Sequence, residues 1–350
     1  MRKIFTIKYI FILSLFINMV SCGSNDDKGI KHIEFNEVVK SNPDIEFVCE
    51  LNENISLLDQ TIYQLRVISD STFLITNGKK VFLYNIDGEQ LTNIGMYGRG
   101  PGEYLRAIKS YVSDNYIYIL CSGTSQMLVY DLNGNYVKKY DSPLPHSEFI
   151  IEEDSIVTFY RASMQDNILI KRFILDSGEM IASYHHYTNA DHPLFAMNDT
   201  GAFNQIGNEI LYLSPSKLEL NSIINGEHKI LLKIINSEFD VHLNVNLDQV
   251  NNWQFMKNNS VVRGVHAYGD RIYILAETGK MVYVDGCVQS SDTRQLNLFE
   301  IDRTNLEPIK QNVYTNRDEF MYSNFFYKNY MYFITESENL GRRKLCRVKL

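Results

Sequence analysis

Between residues 93 and 104 the chain reads Asn-Ile-Gly-Met-Tyr-Gly-Arg-Gly-Pro-Gly-Glu-Tyr, four glycines and a proline around one arginine and one glutamate. The glycines permit positive φ and close backbone approach, and Pro101 stiffens the loop. Such a loop could present Arg99, Glu103 and Tyr104 to a ligand. The architectural alternative is a backbone device packed between sheets, with Tyr104 as a wedge and Glu103 paired to a neighbour. A phosphate loop is excluded, because the GK[ST] ending and its helix are missing.

Val262-Arg-Gly-Val-His266 sets two polar side chains, Arg263 and His266, about a glycine in an otherwise apolar run. They are candidates for a binding face, or for solvating a channel and bonding exposed backbone groups. His185, His186 and His192, with Asp191 and Asp199 nearby, invite a metal reading. Their spacing is not that of a metal motif such as HExxH, so a chance cluster of surface polar groups accounts for them better. Gly123 and Gly201 lack the strand-Ser-helix context of a nucleophile elbow, and no Ser-His-Asp arrangement can be argued. No cofactor motif is present.

The elements that must hold these residues repeat. Six times an Asn, Asp or Ser at a turn leads into a run of apolar and aromatic residues. The runs are Ser71 to Thr76, Asn115 to Leu120, Asp154 to Phe159, Asn208 to Leu213, Asp270 to Leu275 and Asn329 to Ile334. A recurrence of this length marks a radial repeat rather than a single sandwich. A second strand often follows, closed by a polar-Gly turn, as in Val81 to Gly88 and Met127 to Gly134. Asp-Gly and Asn-Gly favour the tight hairpins that lead to an outer strand such as Asn135 to Tyr140. Tyrosine (23) and phenylalanine (19) are plentiful and proline (7) scarce, as sheets require. One helical pattern, Leu247 to Lys257 around Trp253, is expected to decorate a loop.

The spacing predicts an all-β, six-bladed β-propeller closed by an N-terminal strand. The last unit has room for one strand after its phrase, over Leu345 to Leu350, and Ile45 to Leu51 (or Ile30 to Phe35) belongs to no repeat. One of these segments should complete the final blade and hide its edge. Counting back from each phrase places Arg66, Lys109, Tyr111, Asn204, Arg263, His266 and Asn324 on or beside inner strands.

Arg2, Lys3 and Lys8 precede an apolar stretch, Tyr9 to Val20, that is too short for a comfortable membrane span and runs into Ser21-Cys22. This resembles the lipobox of bacterial lipoproteins, which implies cleavage before Cys22 and lipidation of its thiol. The expected organisation is a signal peptide over 1–21, a flexible tether over 22–29 and the propeller over 30–350. The acidic pair Asp26-Asp27 resembles a surface-export tag of some Gram-negative lipoproteins; the alternative is a tether facing the periplasm. Without residues 1–21 the chain keeps 31 basic against 42 acidic side chains, a formal charge of −11. That argues against nucleic acid as a partner. Cys49, Cys121, Cys287 and Cys346 show no metal spacing, and a Cys49–Cys346 bridge is compatible with closure but not demanded.

On Gly95, Gly98 and Gly100-Pro-Gly-Glu-Tyr104, together with the lipobox and the repeat rhythm, the chain resembles a family of six-bladed propeller lipoproteins from Gram-negative bacteria, akin to NHL-repeat propellers. The resemblance implies fold and an envelope location, with no activity attached. The functional expectation is a lipid-anchored, non-catalytic binding module for a glycan, peptide or envelope protein, without cofactor. The alternative is a lactonase-like hydrolase or lyase with a channel metal, which needs ligands from several blades.

Overall fold

The computed structural model describes residues 30–41, 44–52, 64–143, 148–160, 168–186, 202–214, 217–239, 260–278, 281–284, 287–290, 295–314, 322–336 and 343–350. Residues 1–29, Cys22 included, and the segment around Trp253 lie outside them. Every regular element described is a strand.

Each of the six apolar phrases is the second strand of an antiparallel sheet. Blade 1 runs Gln64–Val67, Thr72–Thr76, Val81–Asn85 and Gln90–Ile94; blade 2 runs Ala107–Val112, Tyr116–Cys121, Gln126–Asp131 and Tyr136–Asp141. Blade 3 holds Glu148–Glu152, Ile156–Tyr160, Ile168–Ile174 and Met180–His186, and blade 4 holds Phe203–Ile206, Glu209–Leu213, Glu219–Ile224 and Glu227–Ile234. Blade 5 is Val261–Tyr268, Arg271–Thr278, Gln295–Asp302 and Pro308–Tyr314. The hairpin turns use the expected chemistry, with Gly88 and Gly134 both at φ +86°.

The phrases are apolar at nearly every position because both faces of each sheet are covered. Buried side chains cluster between blades rather than within them. Leu65, Phe73, Phe82 and Tyr84 of blade 1 pack with Tyr332, Ile334 and Leu345 of blade 6. On the opposite face Leu74, Val81 and Ile94 meet Ile117, Leu128 and Tyr130 of blade 2. Six tyrosines are among the largest fully buried side chains. Their rings fill wide gaps between twisted sheets, and several hydroxyls bond to backbone; Tyr160 of blade 3, for example, donates to the Leu213 carbonyl of blade 4 at 2.9 Å.

Closure follows the first of the two expected routes. Blade 6 consists of Tyr322–Tyr327, Tyr330–Glu336, Arg343–Lys349 and the N-terminal Ile45–Glu50, which pairs antiparallel with Arg343–Lys349. The other candidate segment does something the repeat pattern did not foretell. Lys31–Ile33 adds to the outer edge of blade 4, parallel to Glu227–Ile234, and Val38–Ser41 adds to the outer edge of blade 5, parallel to Pro308–Tyr314. Residues 30–41 and 44–52 therefore form a strap along three successive blades. Beyond blade 6 the Asn52 amide donates to the Gly88 carbonyl of blade 1 at 2.8 Å. A Cβ on Gly88 would lie 2.0 Å from the Glu50 carbonyl oxygen, so glycine is needed for both φ and passage of the strap.

Cys49 and Cys346 are buried and unbridged on adjacent strands of blade 6. Burial pushes the Cys49 thiol up to about 11, so it is an inert packing group.

Ile33 is only 3% exposed within the core that joins blades 3, 4 and 5. Ile33→Ala is expected to lower stability by about 2–5 kcal/mol, read from the urea midpoint. An unchanged midpoint would mean that this stretch of the strap adds nothing to the ring.

Candidate functional site: the central channel

The first strand of each blade has one edge paired to the second strand and the other facing the axis. Its inward N–H and C=O groups have no ladder partner and require side chains or ligands. Gln64 and Arg66, at alternate positions of the blade 1 inner strand, show how this is met. The Ser110 amide and hydroxyl of blade 2 both donate to Gln64 Oε1, at 2.7 and 3.0 Å, and Arg66 Nε donates to the Ser110 carbonyl at 2.9 Å. His266 of blade 5 bonds the carbonyl of Lys328, in the turn after the blade 6 inner strand, through Nε2 at 2.8 Å. A carbonyl only accepts, so the proton sits on Nε2 and Nδ1 accepts from Asn204 Nδ2 of blade 4, 3.1 Å away. The His266 ring stacks on Phe326 at 5.4 Å and 5°.

Within this frame lies a cavity of about 140 Å³ reached by all six inner strands. Glu148 of blade 3 lines it and is ion-paired at 2.5 Å with the buried Lys109 of blade 2. Tyr111 of blade 2 donates across to Gln205 Oε1 of blade 4 at 3.3 Å, skipping blade 3 and narrowing the passage. The Arg66 guanidinium lies between the Tyr111 and Phe325 rings, 5.0 and 5.1 Å from their centroids. Burial lowers its pKa, while Tyr111 and Glu148 act in the opposite direction.

The residues singled out from sequence are not brought together. Arg263 turns to Glu277 on the next strand of its own blade, Nη2 to Oε2 2.8 Å, and is no part of the cavity lining. His266 bridges blades 4, 5 and 6 as above. The Gly95–Tyr104 loop joins blades 1 and 2, and its contacts are with those blades. Tyr104 is fully buried, donates to the Ile94 carbonyl at 2.8 Å and accepts from the Val81 amide at 3.0 Å. Burial holds its phenol well above the usual tyrosine range. Glu103 accepts from the Gly100 amide at 2.7 Å, and a Cβ on Gly98 would lie 2.0 Å from the same carboxylate. Arg99 is exposed at the loop tip. The loop thus has the wedge geometry for Tyr104, while Glu103 closes on its own backbone.

His185 belongs to the outer strand of blade 3, where Nδ1 meets Tyr212 Oη at 3.3 Å and the ring lies 5.9 Å from His228. The His186 side chain and His192 fall outside the described residues, as does the Asn324 side chain. Among the described residues no three His, Cys, Asp or Glu side chains converge as a metal would require. Glu148 and Gln64 were missed from sequence. The count back from Asp154, applied as in the other blades, would have found Glu148.

A closed ring of six sheets, each with four antiparallel strands and two of them extended by a strap strand, around a narrow channel defines a six-bladed β-propeller. The model of the family described as "6-bladed beta-propeller", DUF5128, matches residues 22–335, and the chain belongs to that family. Among solved structures it is similar to a Bacteroides fragilis protein described as exported, with TM-score 0.63 and 13% identity over 91% of this chain and 100% of that one. It is also similar to a DUF4221 family member from Bacteroides vulgatus, with TM-score 0.63 and 11% identity over 88% and 98%. At such identities the likeness is one of fold. No functionally curated protein matches the chain.

Two predictions follow from the bonding of Tyr104 and His266. Tyr104→Phe leaves a buried amide and carbonyl each without this partner and is expected to cost about 1–3 kcal/mol in chemical denaturation. A role confined to a ligand would leave stability unchanged. Burial is the main cause that lowers the His266 pKa, against the opposing Lys328 carbonyl. The folded state therefore binds fewer protons than the unfolded chain. Its contribution is full above about pH 6.5 and declines as pH falls from there toward the folded-state value. His266→Gln should flatten that part of the curve of melting temperature against pH; an unaltered slope would remove His266 as its source.

Proposed function

We propose that the protein is a lipid-anchored propeller of the cell envelope, acting as a non-catalytic binding module for a glycan, peptide or partner protein. Residues 1–22 would place it there, with Cys22 lipidated, and the ligand would engage the central channel and its mouth. The observation that carries the reading is the cavity shared by six inner strands, where cationic, amide and aromatic side chains meet. Concave, mostly apolar sites with a few convergent polar groups are the usual form of a binding pocket. The channel carboxylate Glu148 is engaged by Lys109, and the nearby Glu152 is held by Arg172 at 2.6 Å. Neither is presented as an isolated acid or base, which favours binding over general acid–base chemistry.

The test is a thermal-shift screen of the purified protein against oligosaccharides, short peptides, lactones and divalent metals. A ligand at 100 times its dissociation constant stabilises the fold by about 2.7 kcal/mol, which moves the melting point of a domain this size by about 4 °C. The expected result is a shift with a sugar or peptide, independent of metal and without product. A metal-dependent shift accompanied by lactone turnover would replace this reading with the hydrolase one.

A further inference from the structure

Arg66 differs from the other cations around it. Lys109, Arg172, Arg263, Arg271, Arg303 and Arg347 each lie within 3.1 Å of a glutamate oxygen. Among the described residues no carboxylate lies within ion-pairing distance of Arg66, whose polar contact is the single Nε bond to the Ser110 carbonyl. Arg66 lines the cavity, and its Nη1 and Nη2 groups have no acceptor among the described residues. Two aromatic rings pack 5.0 and 5.1 Å from the guanidinium carbon and offer it no full counter-charge. Beside it, Gln64 is 6% exposed; its Oε1 is occupied by Ser110, and its Nε2 also lines the cavity without an acceptor among the described residues. Residues 64 and 66 are two apart on one strand, so both sets of donors project from the same side.

We propose that the channel holds a small monocarboxylate on an apolar body, with the carboxylate received by the Arg66 Nη groups and Gln64 Nε2. This rests on the binding-module reading and names the chemistry of its ligand. The charge inside the channel is the first argument. Lys109 and Glu148 neutralise each other, which among the described lining residues leaves one positive charge at Arg66, and a single negative charge balances it. A phosphate dianion would bring more charge than the site can match. A guanidinium fork also complements a carboxylate in the bidentate manner.

The lining is the second argument. Leu65, Val112, Phe149, Ile150, Phe203 and Val265 line part of the cavity, and the polar groups of Tyr111, Glu148, Asn204 and Gln205 beside them are already bonded. A hydroxyl-rich uronic acid would lose water there without gaining enough partners, whereas an aromatic or aliphatic acid would not. Size is the third. A volume of about 140 Å³ is close to that of an engineered protein cavity that takes benzene. A benzoate, or the C-terminal residue of a peptide, fits that scale, and an internal stretch of polymer does not.

The experiment is calorimetric titration of the full chain with benzoate and benzamide, N-acetylphenylalanine and its amide, and glucuronate and glucose. It is repeated on Arg66→Met and Arg66→Lys, with circular dichroism confirming the fold. Expected are binding of the apolar carboxylates, at least about tenfold weaker binding of their neutral amides, and about 100-fold loss in Arg66→Met. Arg66→Lys, which keeps the charge and loses the fork, should fall between. If the methionine variant does not fold, the acid–amide comparison on the unmodified protein decides alone. Equal binding of acid and amide, undiminished binding in a folded Arg66→Met, or preference for glucuronate over both apolar acids would overturn the proposal. Glycan or peptide binding indifferent to Arg66 would overturn it while leaving the binding-module reading intact. Chemical turnover of a carboxylate bound at Arg66 would do the reverse.

Discussion

A four-stranded sheet leaves backbone donors and acceptors open along both margins, and a ring of six such sheets has twelve margins to satisfy. The architecture of this protein is organised by that constraint. On the axial side, neighbouring blades supply side chains: Gln64 and Arg66 bind both ends of Ser110, and His266 caps the Lys328 carbonyl. On the outer side, the strap of residues 31–50 adds a strand to blades 4 and 5 and supplies the fourth strand of blade 6. The outer strand of blade 2 instead exposes Lys138, Lys139 and Asp141, charges that discourage edge-to-edge association.

The same constraint explains why polar residues occur in the most enclosed part of the molecule. A channel lined only with aliphatic side chains would leave the axial backbone groups of six strands without partners. Supplying those partners from adjacent blades also locks the blades together, because each bond crosses a blade boundary. The Gly95–Tyr104 loop does similar work further out, with a tyrosine that bonds the third and fourth strands of blade 1 from the connection to blade 2. The most distinctive motif of the chain is in this sense a joint between two blades.

Arg66 is where the two roles of the channel separate. Its Nε serves the architecture, and its remaining nitrogens serve nothing within the described residues. Holding a part-buried cation without a counter-ion is unfavourable. A fold whose neighbouring cations are matched to carboxylates has retained one that is not, at the point where the channel has room for a small group. Local departures from internal consistency are expected to mark functional sites.

What the sequence alone determined was local and periodic. The apolar phrases became second strands because their β-branched and aromatic residues suit a sheet covered on both faces. The Asp-Gly and Asn-Gly pairs became hairpins because only such residues accept positive φ cheaply, and counting from the phrases put Arg66, Lys109, Tyr111, Asn204, Arg263 and His266 on inner strands. Even the closing strand was legible as an apolar segment belonging to no repeat. Tertiary structure alone decided which of those side chains face the cavity, that Glu148 joins Lys109, that Arg263 turns to Glu277, and that Arg66 has no carboxylate partner among the described residues. It also decided that residues 31–41 run parallel along blades 4 and 5. These are pairings between residues tens to hundreds of positions apart, fixed by how twisted sheets meet around an axis, and a one-dimensional pattern of polar and apolar residues carries no record of that geometry.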